Sequence, residues 1–142
     1  YVFLGDALGA RTTDRSCYRN GLAEYDLIAK TDLFKEGLRR VLKGGQTFTV
    51  ALMCAEKEPL DCHRTILVAR NLVTLGARIK HILADGRAES HEETEQRLLR
   101  ATGQDTGDLF SGDSLARAYE IRGREICYNE NLAANQMQEK LA

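Results

Sequence analysis

Hydrophobic positions in this chain fall into short blocks separated by polar, glycine-marked turns, and the blocks differ in period. Residues 1–4, YVFL, are continuously apolar and stopped by Gly5, the pattern of a short buried strand. The next stretch, GDALGARTTDRSCYRNG (5–21), has the Gly, Asp, Ser and Thr content of a loop. Over 32–43 the period changes. Leu33, Phe34, Leu38, Val41 and Leu42 share one side of a predicted amphipathic helix, which Gly44-Gly45 ends.

TFTVALMC (47–54) is β-branched and then continuously apolar, as in a strand covered on both faces. Pro59 breaks the loop that follows, Asp61 stands where it would cap a helix over 62–75, and Gly76 closes that helix. RIKHIL (78–83) reads as a third strand, ended by Asp85-Gly86. Strand, helix and strand in that order predict a right-handed βαβ unit with a parallel pair.

Ser90 with Glu93 forms a predicted capping box ahead of a helix carrying Leu98 and Leu99, and Gly103 stops it. Residues 103–113 read as a loop, with Asp113 capping a helix over 114–122. The tail, NENLAANQMQEKLA (129–142), is helix-prone but weakly patterned. No repeat or linker divides the chain. The expected architecture is one α/β domain over 1–142, three-layered, with a mainly parallel sheet and helices on both faces.

Composition narrows the class without naming a function. A chain of 142 residues, 43% apolar and 29% charged, can bury a core and is not disordered. A net charge of −1 gives no global attraction to nucleic acid or anionic membrane. No apolar run approaches the roughly 20 residues that span a bilayer, and no signal peptide is visible. Cys17, Cys54, Cys62 and Cys127 are too sparse for a secreted disulfide scaffold, so a reducing, cytoplasmic setting is expected. An apolar block at the very start, with no initiator Met, is read as the edge of an incomplete domain and as a surface for self-pairing into a homo-oligomer.

Chemistry concentrates in CAEKEPLDCHR, residues 54–64. In open parallel sheets ligands gather beyond the carboxyl ends of strands, beside helix N-termini. That places Cys54 at a strand end and Cys62, His63 and Arg64 in a first helical turn. Cys62 is then the candidate reactive thiol, His63 the acid/base, and Arg64 the clamp for an anion. Cys54 and Glu56 shape the floor, and Arg11 and Arg15 lie in a loop that reaches the same pocket.

Other readings stay open. Phosphatase-like and rhodanese-like loops fail on spacing, because Arg64 follows Cys54 by ten residues and Cys62 by two. Cys54, Glu56, Cys62 and His63 are zinc-type ligands, but the spacing matches no common zinc pattern, and neighbours on a helix diverge by about 100°. A Cys54–Cys62 disulfide or redox pair is a further alternative, and two buried core cysteines beside solvated basic residues is the plainest one.

These residues carry a resemblance. Cys54-x-Glu56, Pro59 three residues on, Cys62-His63-Arg64 three residues after that, and His81-Ile82 in the next predicted strand resemble the hallmark of the domain of unknown function 488 family. FLGDALGAR (3–11) is similar to that family's LG-x-x-LGG segment, with Ala10 in place of the second glycine of the pair. The resemblance implies a fold and a site at these residues, with no established reaction and no known cofactor. It also implies an upstream segment, bearing a first strand and an arginine-serine stretch, which the given sequence lacks. The expected function is an enzyme-like domain binding a phosphate- or nucleotide-like anion beside Cys62. Its rivals are a nucleic-acid-binding module using Arg11, Arg15, Arg19 and Arg64 as one basic face, and a purely structural or partner-binding domain.

Overall fold

A computed structural model of the chain describes residues 1–105 and 112–132. Its N-terminal part begins with a four-residue helix, α1 (Gly5–Leu8), inside the stretch read as loop. Asn20 (φ 52°) and Gly21 (φ 80°) then turn a two-residue hairpin, β1 (Tyr18–Arg19) against β2 (Leu22–Ala23). Both central residues are left-handed, as a two-residue hairpin turn demands. A single turn, α2 (Tyr25–Ile28), leads to α3 (Asp32–Gly45).

Thr31 caps α3 by accepting from the Phe34 amide at 3.2 Å. Phe34, Gly37 and Leu38 face the core, whereas Leu33 is solvent-exposed. Gly37 is where α1 docks. A Cβ there would lie 2.7 Å from Leu8 Cδ2 and 2.9 Å from Ala7 Cβ, so only glycine admits the contact without a shift.

The core continues in the residues from Pro59 onward. A short turn, Pro59–Asp61, leads into a helix that starts at His63, runs as a wide π-type stretch over Arg64–Ala69 and tightens to α4 (Arg70–Thr74). Thr65 through Ala69 are all buried, together with Leu72. Gly76 (φ 87°) closes the helix, its N–H bonding to Val73 O and the next amide, Ala77, to Leu72 O. β3 (Lys80–Ile82) and β4 (Ala88–Ser90) form an antiparallel hairpin, with Gly86 at φ 84° in the turn. The capping box opens α5 (His91–Ala101): Ser90 Oγ accepts from the Glu93 amide at 3.1 Å, and the Glu93 carboxylate accepts from the Ser90 amide at 2.7 Å. α5 packs on α6 (Gly112–Ile126), burying Leu98, Ala118 and Tyr119.

The expected three-layer parallel α/β architecture is therefore corrected. The described residues are mainly helical, with two separate two-stranded antiparallel sheets and no parallel pair. Residues 1–4 and 47–54 carry the apolar letters of strands but form none. A strand requires a neighbouring strand for its backbone N–H and C=O groups, and among the described residues neither segment enters a strand pairing. Residues 78–83 shrink to β3, which pairs with the segment just after it instead of closing a βαβ unit.

Two caps also differ from expectation. Asp61 belongs to the 59–61 turn and pairs with Arg122, so it caps no helix. Asp113 lies inside α6, one residue after its start. Residues 106–111 of the expected loop and 133–142 of the expected tail lie outside the described residues. Among the described residues, no helix is long and apolar enough to cross a membrane.

Candidate functional site

The site is built where residues 52–56, which have no ladder partners, meet the junction into the helix that starts at His63. Arg64 joins the two. Its Nη1 donates to Leu52 O at 3.2 Å, its Nη2 to Glu56 O at 2.8 Å, and its Nε to Cys62 Sγ at 3.1 Å. The turn between them is braced from outside. Glu58 accepts from the Leu60 amide and from Arg97, and Arg122 donates to Leu60 O at 3.0 Å while pairing with Asp61.

Cys62 is extended (φ −122°, ψ 133°), and His63 is the first residue with helical angles (φ −58°, ψ −22°). The two side chains thus leave a bend instead of a regular helix, and the expected angular divergence between helical neighbours does not apply. Both turn toward residues 54–56. Cys54 Sγ donates to Glu56 Oε2 at 2.7 Å and lies 3.5 Å from His63 Nδ1. Cys62 Sγ lies 3.7 Å from the same carboxylate oxygen. One ligand atom from each of Cys54, Glu56, Cys62 and His63 falls within 4.8 Å of the others. All four cysteines are free thiols, so no disulfide joins Cys54 to Cys62.

Electrostatics follow from this packing. Burial, reinforced by the Glu56 carboxylate, pushes the Cys54 thiol up to about 11. The same hydrogen bond holds Glu56 below the ordinary carboxylate range. Burial lowers His63, with Glu56 pulling the other way.

Cys54, Glu56 and His63 open onto a cleft of about 520 Å³, which Arg11, Tyr25, Tyr128 and Asn129 also line. Cys62 stands behind it, fully buried. The turn after α1 contributes Gly9, Ala10 and Arg11 to that lining. At Gly9 a Cβ would come 2.3 Å from Gly5 O, and two residues on, Arg11 lays its guanidinium 4.7 Å from the centre of the Tyr128 ring.

The structure separates the remaining expected cations. Arg64 donates to Leu52 O, Glu56 O and Cys62 Sγ within the fold. Arg15 pairs with Glu130, and Arg19 donates to Ser16 O and Tyr18 O. The pairing of residues 11 and 25 with 128 and 129, far apart in the chain, left no signal in the sequence.

A second buried polar group lies behind the same helix. His81 Nε2 and His91 Nδ1 share a 2.9 Å hydrogen bond. Tyr119 Oη lies 3.1 Å from His91 Nε2 and donates to Glu95 Oε1 at 2.9 Å, while Thr65 Oγ1 stands 3.4 Å from His81 Nδ1. Burial, with His91 adding to it, brings His81 down to about 4. Only His81 belonged to a pattern in the sequence.

The family model described as Domain of unknown function DUF488 matches residues 1–71, half of the 142-residue chain. The chain belongs to the DUF488 family. The match spans Arg11 and the whole Cys54–Arg64 cluster, so the DUF488 part of the chain carries the donor side of the cleft. Tyr128 and Asn129, which also line the cleft, fall beyond it. No curated protein and no solved structure matches the chain.

Proposed function

We propose that Cys54, Glu56, Cys62 and His63 bind a zinc-class divalent metal ion at the floor of a cleft that admits a small polar ligand. The observation that carries this reading is the convergence of four ligand atoms within 4.8 Å of one another. Two sulfurs, an imidazole nitrogen and a carboxylate oxygen suit zinc and its transition-metal neighbours and are a poor set for magnesium or calcium. The N–H groups of Arg64 on Cys62 Sγ are the outer-layer contacts that orient and stabilise a thiolate ligand.

A nucleophilic Cys62 fits less well, because its side chain is fully buried and faces Arg64. An anion-binding cleft is the second reading, favoured by Arg11 on the rim over Tyr128. It places the cation on the first loop and leaves Arg64 as a structural tie.

Purified protein exposed to zinc and then desalted is expected to retain about one equivalent by elemental analysis. Cys62→Ser with His63→Ala should reduce that at least tenfold. Cys127→Ser, which removes a cleft-wall thiol outside the cluster, should leave it unchanged. Equal zinc in the wild type and the double variant, or none in either, would sink the metal reading.

A further inference from the structure

We infer that the Tyr25 hydroxyl and the Arg11 guanidinium make the cleft a receptor for a small, singly charged carboxylate, with Tyr25 as the residue that selects it. This rests on the anion-binding reading above, deepens it, and is independent of the metal reading. Tyr25 is enclosed yet unpaired. It is 8% exposed and lines the cleft, and its hydroxyl has no hydrogen-bond partner among the described residues. Arg97 Nε is the one fully enclosed side-chain polar atom left without a partner among those residues, so the Tyr25 hydroxyl is open to the space it lines.

Tyr25 also borders a smaller hollow, where its Cδ2 lies 3.4 Å from the place a Cβ on Gly123 would take. That is an edge of the ring. Burial holds the phenol well above its ordinary range, with Cys127, Cys62, Glu56 and Cys54 adding to the effect, so Tyr25 keeps its proton. Cys54, Glu56 and Cys127 all line the main cleft, which puts the hydroxyl end on that side.

Two further donors line the same space. Arg11 lies over Tyr128 and meets no carboxylate among the described residues. Asn129 Oδ1 already accepts from the amides of Asn131 at 3.0 Å and Leu132 at 3.3 Å, which leaves its NH₂ group to donate. These positions are set before any ligand arrives. Ala23 N donates to Tyr128 O at 2.9 Å and Glu130 N to Gly21 O at 2.9 Å, tying 128–130 to the hairpin just ahead of Tyr25.

Donors without acceptors call for an oxyanion, and the planar guanidinium fork matches a carboxylate. The charge count limits it to one. Arg11 is the single Lys or Arg among the described residues of the lining, while the carboxylates of Glu56 and Asp61 line it too. Asp61 is offset by Arg122, but a second negative charge on the ligand would meet Glu56 uncompensated. A cleft of about 520 Å³ leaves room for a small body beyond the carboxylate, against Ile126 and Leu132.

The test titrates acetate, neutral acetamide and doubly charged sulfate into the full chain without added metal, at fixed ionic strength, by NMR of backbone and arginine N–H groups. Acetate should shift the Arg11 Nε–H and the Gly9 and Asn129 amides, acetamide should not, and sulfate should bind at least fivefold more weakly. Tyr25→Phe, which keeps the ring, should weaken acetate at least fivefold, and Arg11→Gln at least tenfold. Arg40→Gln, on the exposed side of α3, should change nothing. Unshifted Ser90 and Glu93 amides would report an intact fold in each variant. Equal acetate affinity in the wild type and Tyr25→Phe would overturn the selecting role and leave the anion reading standing. Sulfate binding as tightly as acetate would overturn the single-charge class. Cleft signals that neither anion moves would sink the anion reading and the inference together.

Discussion

Two apolar runs stand on either side of the site and meet opposite fates. In Thr65–Ala69 the side chains of Ile66, Leu67 and Val68 are 2%, 1% and 2% exposed. In 47–54, Phe48, Val50 and Met53 are 71%, 43% and 83% exposed. The letters are equally hydrophobic, so the difference lies in the backbone. A helix satisfies its own N–H and C=O groups and needs only faces to pack against. An extended segment needs a neighbouring strand before its side chains gain anything from alignment. The first run became core, while the second stays largely exposed, tied by Thr47 and Phe48 to Gly44 O, by Leu52 against the core and by Arg64 to Leu52 O.

The largest expected effect breaks the comparison at its buried end. Leu67→Ala should cost about 2–5 kcal/mol in urea unfolding, the range for a truncated core leucine. Met53→Ser should stay within about 0.5 kcal/mol. Comparable losses from both would mean that the extended segment is covered in solution, and the contrast would collapse.

Arg64→Met comes next. It removes three charge-assisted hydrogen bonds at once, with an expected cost of about 2–3 kcal/mol. Arg64→Lys should not rescue it, since one ammonium cannot reproduce the planar fork that reaches Leu52 O and Glu56 O. Limited proteolysis should then cut within 47–56 first. Full rescue by lysine would show that charge alone holds the segment.

The smallest effect concerns the buried polar group behind the helix. His81 is held near 4 when folded and is close to 6.5 when unfolded, so the unfolded chain binds more protons between those values. Its contribution is present above pH 6.5 and is lost as pH falls toward 4. The groups bearing on it are His91 and Glu89, with Arg64 and Arg97 further reducing its affinity for a proton. Stability should drop by about 1 kcal/mol by pH 5, after allowance for solvent screening. His81→Gln should flatten that part of the pH profile in thermal melts. An unchanged slope would place the acid sensitivity elsewhere.

What the sequence disclosed divides along the same line as the two runs. Elements set by local chemistry were legible: α3, the Ser90–Glu93 capping box, and the turn at Gly76. Strands 1–4, 47–54 and 78–83 were read from composition, yet their existence depends on partners distant in sequence. Asp85-Gly86 marked a turn correctly, but it joins an antiparallel hairpin instead of ending a parallel strand. At the site, Cys54, Glu56, Cys62, His63, Arg64 and Arg11 were each singled out. Cys54, Glu56, Cys62 and His63 form a zinc-type set in the sequence, against which helical divergence counts; Cys62 is extended, so that objection does not apply. Arg64, read as facing a ligand, faces the protein's own carbonyls and sulfur.

That inward-facing arginine has a consequence for charge balance. With a metal bound, two thiolates and one carboxylate would bring three negative charges into a partly buried corner. A divalent ion and the guanidinium would bring three positive charges into it. Filling the centre would therefore release the thiol protons to solvent and leave the corner electroneutral, with the cation already in place. By this arithmetic Arg64 would serve as the built-in counter-ion of such a centre, in place before any metal arrives.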